Sequence, residues 1–405
     1  MTYQESLDWL YSLQVHGIQL GLENMRRLCA ALGIETECGE KRKFIHVAGT
    51  NGKGSVCAML AAILCAEGKR TGLYTSPHLI HFRERIRLGA NCIPDEHVAE
   101  GLTEIRRFIE NWDHSPTFFE VTTALALAWF QRQRAEWIIL ETGLGGRLDA
   151  TNVITPLVSV ITPIGLDHTQ HLGPTLAHVA REKAGIIKRL VPVLSAPQQD
   201  EAVHVLRDAA SEMGATLKFI TSPVAESWQF ALTGTHQRWN AALAFAALVA
   251  AGLRPNPRTV AQALANTEWP GRFQRIGERL ILDGAHNPAA AVQLVATWRE
   301  QFGDKRATLI LGILADKDVP GTIQPLLSIA ARVYCVPVKN PRSLAAATLS
   351  EQVARLSPET VCTVFADAAA AIAATEQHNE PVLVAGSLFL IGEILSPDAQ
   401  ETSAQ

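Results

Sequence analysis

Short apolar runs alternate with longer helical patterns along most of this 405-residue chain. Five runs in the first half have the length and apolar character of buried strands: residues 44–48, 71–75, 137–141, 157–162 and 191–196. Three intervening segments have the pattern of helices: residues 55–68, 121–133 and 240–252. Such alternation predicts an α/β fold with a parallel sheet that helices cover on both faces.

A second series of strand-like runs begins after residues 269–273, where Trp269, Pro270 and Gly271 interrupt the pattern. Its strands are predicted at residues 279–284, 307–312, 332–338, 361–366 and 381–386. A chain of this length exceeds one ordinary core. We therefore expect a first domain over residues 1–271, with a helical N-terminal segment, and a smaller α/β domain over residues 272–405.

Composition limits the possible partners. The formal net charge of −4 argues against a nucleic-acid-binding surface, which would be basic. No run of about 18 apolar residues occurs, and Glu5 and Asp8 replace the basic-then-apolar start of a signal peptide, so we expect a cytoplasmic protein without a membrane-spanning helix. The seven cysteines include no C-x-x-C pair, which favours reduced thiols over disulfides or a zinc site.

Residues 47–56, VAGTNGKGSV, join a predicted strand to a predicted helix. Gly49, Gly52 and Gly54 let the backbone approach phosphate oxygens, while the helix amides face the anion. Lys53 can reach the β/γ phosphates, and Ser55 can offer a hydroxyl to Mg²⁺. The spacing departs from a Walker A loop because Gly54 separates Lys53 from Ser55. The alternative is a glycine-rich turn with an unrelated lysine.

A carboxylate ends the strand at residues 137–141. Glu141 lies where parallel strands meet their ligands, and it can hold Mg²⁺ directly or through water. Asp149 and Asn152, in the turn-rich segment that follows, can orient a substrate. The alternative is that Glu141 only caps a helix.

The loop at residues 165–173, GLDHTQHLG, carries Asp167, His168 and His171. These side chains suit metal ligation or acid–base work, but they also suit an ordinary polar loop. Lys183, in the segment REKAGI, is indistinguishable from a surface lysine by its sequence context alone.

Taken together, six motifs resemble the dihydrofolate synthase/folylpolyglutamate synthase family: GTNGKGS, YTSPHL with ERI (84–86), ETGLGGRLDATN, LDHTQHLG, REKAGI and DGAHNP (283–288). That family belongs to the Mur ligase superfamily of ATP-dependent acid–amino acid ligases. The resemblance extends from about residue 15 to about residue 390. It implies a Mur-ligase-like P-loop ATPase domain with a parallel sheet and a smaller Rossmann-like α/β C-terminal domain that acts as the glutamate-ligase domain.

The resemblance also implies a reaction. ATP phosphorylates a carboxylate to an acyl phosphate, the amino group of L-glutamate attacks it, and phosphate leaves. The segment HGIQLGL (16–22) and the R-L-D-A form of GGRLDATN resemble bifunctional bacterial members. We therefore expect a monomer that acts on the small molecules dihydropteroate, folates and L-glutamate, with a monofunctional folylpolyglutamate synthase as the alternative.

Site residues follow from the same resemblance. The nucleotide residues would be Gly49, Thr50, Asn51, Gly52, Lys53, Gly54, Ser55, Asn240, Arg272, Asp283 and His286. Two magnesium ions would be held by Ser55, Ser76, Glu141, His168 and Lys183. Lys183 would be carbamylated, which turns a cation into an additional carboxylate. The catalytic residues would be Lys53, Lys183 and His168.

The substrate side is implied in three segments. They are Gly17, Ile18, Gln19 and Leu20, then Thr117, Phe118, Phe119 and Glu120, and finally Leu148, Asp149 and Ala150. Phe118 and Phe119 can line an apolar pocket or belong to the core. The segments DKD (316–318) and PRS (341–343) resemble second-domain motifs and are candidates for the glutamate pocket.

Two alternatives come from other classes. A UDP-muramoyl-peptide ligase of the same superfamily would carry a separate uridine-binding α/β domain where this chain has a helical N-terminus. A nucleotide-driven switch would need effector loops and only one domain on the nucleotide.

Overall fold

The computed structural model describes residues 1–16 and 21–396, and the chain divides into two compact units. The first unit contains Met1–Ile164, Pro174–Gln229 and Trp239–Thr267. The second contains Gly165–Gly173, Phe230–Arg238 and the chain from Glu268 onward. The two short segments of the second unit precede its main part by many residues, a feature that the linear pattern does not reveal. The division between residues 271 and 272 stays a prediction.

Helices surround the sheets of both units because most of them are apolar on one side. Within the described residues the α-helices are α1 Tyr3–Ser12, α2 Glu23–Ala31, α3 Lys53–Ala66, α4 Asp95–Ile109, α5 Phe118–Arg132, α6 Thr169–Leu172, α7 Leu176–Ala184, α8 Asp200–Glu212, α9 Thr235–Ala250, α10 Pro257–Ala265, α11 Pro288–Phe302, α12 Val319–Leu327, α13 Ala346–Leu356, α14 Ala368–Ala374 and α15 Leu388–Leu395. Short 3₁₀ helices cover Leu13–His16, Phe82–Arg85, Ala150–Val153 and Thr375–Gln377.

The sheet of the first unit is mostly parallel, as the alternation predicts. Its strands are β1 Lys43–Ala48, β2 Thr71–Tyr74, β3 Ile86–Leu88, β4 Asn91–Cys92, β5 Trp137–Glu141, β6 Val158–Ile161, β7 Val193–Ser195 and β8 Leu217–Phe219. They lie in the order β4-β3-β2-β5-β1-β6-β7-β8. Among the strands of the described residues in this unit, only the edge pairs β2–β3 and β3–β4 are antiparallel. The short strands β3, β4 and β8 were not predicted, because two or three residues are too few to form a recognisable apolar pattern.

The second unit has a six-stranded sheet. Its strands are β9 Gln274–Ile276, β10 Leu280–Leu282, β11 Ala307–Leu311, β12 Ala330–Cys335, β13 Val361–Val364 and β14 Val382–Ala385. The order is β13-β12-β11-β14-β10-β9, and within the described part of this unit only β9 runs antiparallel to its neighbour. The five predicted strands are confirmed, and β9 is the additional one.

Strand register decides which side chains meet in the first unit. Val47 of β1 is level with Glu141 of β5, and Tyr74 of β2 is level with Leu140. The three central strands therefore end at the same edge, where the glycine loop follows β1.

No helix among the described residues is long and apolar enough to cross a membrane. All seven cysteines are free thiols.

Candidate active site

The glycine loop after β1 holds conformations that require glycine at two positions. Gly49 has a φ of 147° and Gly52 a φ of 86°. A Cβ atom on Gly49 would lie 1.8 Å from Oγ1 of Thr162, so no side chain fits there. Because α3 begins at Lys53, directly after Gly52, the unpaired amides of its first turn face the loop. The result is a backbone cradle with the chemistry of an anion site.

Hydrogen bonds hold this loop in place. The amides of Thr50 and Asn51 donate to the carbonyl of Pro163 at 2.9 and 3.2 Å. Nζ of Lys53 donates to the carbonyl of Thr50 at 3.2 Å, so the ammonium lies over the loop. Ser55, in the first turn of α3, is buried. Lysine and serine thus lie where the phosphate-loop prediction needs them.

Asn240 of α9 contacts the same loop within the first unit. A Cβ atom on Gly52 would come 2.9 Å from Oδ1 of Asn240, which shows how closely the amide side chain approaches. Asn240 is 5% exposed. The structure therefore brings Asn240 next to the loop, although about 190 residues separate them in the sequence.

Glu141 and Ser76 are neighbours at the strand ends. The amide of Ser76 donates to Oε2 of Glu141 at 3.0 Å. Glu141 is only 4% exposed. Two of the predicted metal ligands are thus adjacent. A buried carboxylate at this edge fits a magnesium site better than it fits a helix cap.

Lys183 is a buried residue of α7 and not a surface lysine. It is 5% exposed, and its Nζ donates to the carbonyl of Gly49 at 2.7 Å. Since an ammonium repels a divalent cation, the unmodified side chain would oppose a metal at the loop. Carbamylation would remove that repulsion and supply an oxygen ligand.

Among the described residues, no three His, Cys, Asp or Glu side chains form a group that could hold a metal ion. Magnesium ordinarily uses one or two carboxylates, and phosphates and waters complete its shell. Ser55, Ser76, Glu141 and Lys183 belong to the first unit, whereas His168 belongs to the second. The first-unit donor set fits an ion that is held largely by a nucleotide's phosphates.

The N-terminus of α5 carries the predicted substrate residues 117–120. Thr117 and Glu120 form a capping box, because Oε2 of Glu120 accepts from the Thr117 amide and hydroxyl at 2.7 and 2.9 Å. Phe118 stacks on Tyr11 with ring centroids 5.5 Å apart. Phe119 lies 5.9 Å from Tyr74. Both phenylalanines are half-buried at the margin of the core. The predicted residues Gly17 to Leu20 lie outside the described residues.

Asp149 organises the turn that follows Glu141. Its Oδ2 accepts from the amides of Gly143 and Leu144, each at 2.8 Å, and its Oδ1 accepts from Thr151. Burial raises the pKa of Asp149, although these hydrogen bonds act in the opposite direction. Leu148, which precedes it, is half-buried, and Ala150, which follows, is buried. Asp149 therefore fixes this part of the predicted substrate pocket.

In the second unit, three motifs converge on Asp167. Its Oδ1 accepts from Lys317 at 2.7 Å, and its Oδ2 accepts from Nδ2 of Asn287 at 3.1 Å. Nε2 of His286 is 3.6 Å from Oδ2, and Nε2 of His168 is 3.3 Å from Nζ of Lys317. Burial alone would raise the pKa of Asp167, but His286, His168 and Lys317 hold that pKa well below its usual range.

Asp283 and Arg272 also lie together in the second unit. The two carboxylate oxygens of Asp283 accept from the amides of Phe273 and Ala285 at 2.8 and 2.9 Å. Burial raises the pKa of Asp283, and the Arg272 guanidinium lowers it. Asp283 thus fixes the backbone on both sides of this turn.

Sequence reasoning did not select Lys317 or Asn287. Lys317 lies in DKD (316–318), a segment that is a candidate for the glutamate pocket by resemblance. Its partner Asp167 is 150 residues away, so no local pattern could pair them.

Comparison with known proteins agrees with this geometry. The Mur ligase middle domain matches residues 47–243, and the Mur ligase glutamate ligase domain matches residues 271–388. The dihydrofolate synthase/folylpolyglutamate synthase of Bacillus subtilis (strain 168) is 34% identical, and the alignment covers 97% of this chain and 98% of that protein. The chain belongs to the dihydrofolate synthase/folylpolyglutamate synthase family.

Solved structures of this family superpose on nearly the whole chain. E. coli FolC in complex with DHPP and ADP has a TM-score of 0.88 at 34% identity, covering 99% of this chain and 98% of that one. The bifunctional folylpolyglutamate synthase/dihydrofolate synthase of Yersinia pestis complexed with AMPPNP and Mn ion has a TM-score of 0.86 at 32% identity, covering 98% and 97%. The Mur ligase fold that the motifs implied is therefore confirmed.

Proposed function

We propose that the chain is an ATP-dependent ligase that joins L-glutamate to dihydropteroate, forming dihydrofolate, and to the γ-carboxyl of folates. The observation that carries this proposal is the phosphate loop of a folate-ligase family member, with Glu141 at the adjoining strand end. Nucleotide complexes of family relatives, with ADP or with AMPPNP and Mn ion, support ATP and a divalent metal as its requirements.

Each reaction has two steps. A carboxylate oxygen of the acid attacks the γ-phosphorus of ATP, the bond to the bridging oxygen breaks, and ADP leaves. The amino group of glutamate then attacks the acyl carbon, the amine loses a proton, and inorganic phosphate departs. The first step brings two anions together, so positioning and positive charge lower its barrier.

The residues near the loop suit these demands. The amides from Gly49 to Ser55 would bind the β and γ phosphates, and Lys53 would offset the charge that develops during transfer. Asn240, which touches Gly52, would contact the nucleotide. We assign the remaining nucleotide contacts to Arg272, Asp283 and His286, on the resemblance that named them.

Magnesium would be held by Ser55, Ser76 and Glu141, with Lys183 as its carbamate and His168 as a further ligand, across two ions. When bound, the metal supplies positive charge at the phosphates. The protein's own contribution is to hold Glu141 and Lys183, both buried, at the strand ends and against the loop.

The acid would lie beside Thr117 to Glu120 and Leu148 to Ala150. On the resemblance that named them, Gly17 to Leu20 would contact the acid and favour dihydropteroate. We further propose that the enzyme is a cytoplasmic monomer whose partners are small molecules, without nucleic acid or membrane.

A substrate panel tests the proposal. Purified protein is incubated with ATP, Mg²⁺ and L-glutamate, together with dihydropteroate, tetrahydrofolate or a UDP-muramoyl peptide, and phosphate release is measured. We expect turnover with the first two acids and none with the third. Each product should carry one additional glutamate by mass spectrometry.

Different outcomes separate the alternatives. Turnover with tetrahydrofolate alone would indicate a monofunctional folylpolyglutamate synthase. Turnover with the UDP-muramoyl peptide would identify the chain as a UDP-muramoyl-peptide ligase. ADP formation that ignores glutamate would favour a nucleotide switch and contradict the ligase proposal.

A further inference from the structure

Arg85 is a buried cation without a carboxylate partner among the described residues. It ends the 3₁₀ helix Phe82–Arg85 and is 8% exposed. None of the ion pairs formed within the described ranges includes it. Because burying an unpaired charge is costly, such an arginine calls for a physical reason.

The hydrogen bonds of Arg85 are incomplete. Its Nε donates to Nδ1 of His78 at 2.7 Å. Because a guanidinium has donors and no acceptor, Nδ1 of His78 is the acceptor in this hydrogen bond. The terminal nitrogens Nη1 and Nη2 donate to no residue in the described part of the chain. Their four N–H groups, which form the fork that matches a carboxylate, remain available.

The neighbouring acids are committed elsewhere. The Glu84 carboxylate accepts from the amides of Leu79, Ile80 and His81. Glu141 accepts from the Ser76 amide. Both carboxylates are close enough to stabilise the Arg85 charge electrostatically, but neither forms an ion pair with it.

An aromatic surface borders the guanidinium. Cζ of Arg85 lies 5.3 Å from the centroid of the Phe118 ring. Phe118 stacks on Tyr11 and meets the edge of Phe82 at 6.4 Å. A flat apolar wall next to a cationic fork suits a flat aromatic ring that carries a carboxylate.

We propose that the guanidinium of Arg85 binds the carboxylate of the acid substrate while the Phe118 and Tyr11 rings contact its aromatic portion. This inference rests on the proposed function and deepens it, because it assigns the residue that recognises the substrate's anionic end. In dihydropteroate that anion is the benzoyl carboxylate. In folates a carboxylate of the glutamyl residue has the same chemistry.

The test compares dihydropteroate with its analogue that lacks the carboxylate, in fluorescence titrations of the full-length protein. Wild type should bind dihydropteroate about 100-fold more tightly than the analogue, as expected for a desolvated charge pair. R85Q should reduce this preference to a few-fold, with little change in the affinity for the analogue. R83Q is the matched control, since Arg83 lies in the same 3₁₀ helix but pairs with Asp95. It should bind both ligands like wild type.

A second variant and a second substrate complete the design. R85K keeps the charge but not the fork, so its preference should fall roughly tenfold if the carboxylate is held by two parallel hydrogen bonds. If R85Q does not fold, the preference measured with R85K tests whether Arg85 binds the carboxylate. A loss with dihydropteroate identifies the benzoyl carboxylate, and a loss confined to tetrahydrofolate identifies a glutamyl carboxylate.

Three results would overturn the inference. Equal weakening of both ligands by R85Q would mean that Arg85 only supports the pocket. An unchanged dihydropteroate preference in the folded variants, together with unchanged affinity for tetrahydrofolate, would mean that the carboxylate binds elsewhere. Wild-type protein that binds neither ligand would contradict the proposed function itself, and the inference would fail with it.

Discussion

Nζ of Lys317 donates to Oδ1 of Asp167 at 2.7 Å, with side chains that are 7% and 11% exposed. This pair joins the loop before α6 to the segment before α12 within the second unit. Because both groups are nearly dehydrated, each depends on the other, and removal of one leaves an uncompensated charge.

The first prediction concerns this pair. Lys317→Met should lower the free energy of unfolding by about 3 kcal/mol, because the Asp167 carboxylate stays buried without its ammonium partner. Lys317→Met combined with Asp167→Asn should recover part of the loss. The measurement is urea unfolding of both variants and wild type at neutral pH.

A control for the Lys317 variant is the half-exposed pair of Arg342 and Asp316, 3.0 Å apart. Arg342→Gln should cost less than about 1 kcal/mol because water screens the charges. Equal effects of the two single substitutions would show that the burial of Lys317 has no energetic consequence.

Lys53 provides the second prediction. Lys53→Ala should lower ATP turnover by about a hundredfold or more, because the ammonium over the loop no longer offsets charge at the phosphates. Circular dichroism should remain that of wild type. Lys218→Ala, at an exposed position of β8, serves as the control. Near-normal kinetics of Lys53→Ala would rule out the phosphate role.

Lys183 provides the third. Lys183→Ala should lose most activity, since both the contact to the Gly49 carbonyl and the additional carboxylate disappear. Short carboxylic acids such as formate or acetate should restore part of the rate if a carbamate is the missing group. ¹³C-bicarbonate exchange should give a carbamate NMR signal in wild type only. An active Lys183→Ala enzyme, indifferent to added acids, would end the carbamate hypothesis.

The fourth prediction concerns pH. Burial first, and then the charge of Lys188, lower the pKa of His46 to about 3. In the unfolded chain the His46 imidazole binds a proton near pH 6.5, whereas in the folded protein it stays neutral until about pH 3. Stability should therefore fall as the pH decreases from 6.5 towards 3, by at most about 1.4 kcal/mol per pH unit from this residue.

His46→Gln should make that pH dependence shallower while keeping a donor for Thr151, whose Oγ1 lies 2.8 Å from Nε2 of His46. The measurement is the unfolding free energy at several pH values from 7 to 4. His204→Gln, at an exposed position of α8, should leave the slope unchanged. If the His46→Gln and wild-type slopes coincide, His46 is not the titrating group.

The sequence by itself determined the strand–helix alternation, because the spacing of apolar residues differs between buried strands and helices and is visible within a single segment. It also determined the glycine loop, because Gly49 and Gly52 adopt positive φ angles that other residue types rarely adopt. The long motifs were enough to indicate the family. All of these features are local, and local chemistry is what a sequence displays directly.

Only the tertiary structure decided which distant groups meet. Burial distinguished Lys183 from a surface lysine, and chain topology brought Asp167 to Lys317. The capping box of Thr117 and Glu120 likewise showed that these two side chains satisfy each other. A side chain's solvation and partners depend on residues that can be 150 positions away, and neither composition nor spacing records those contacts.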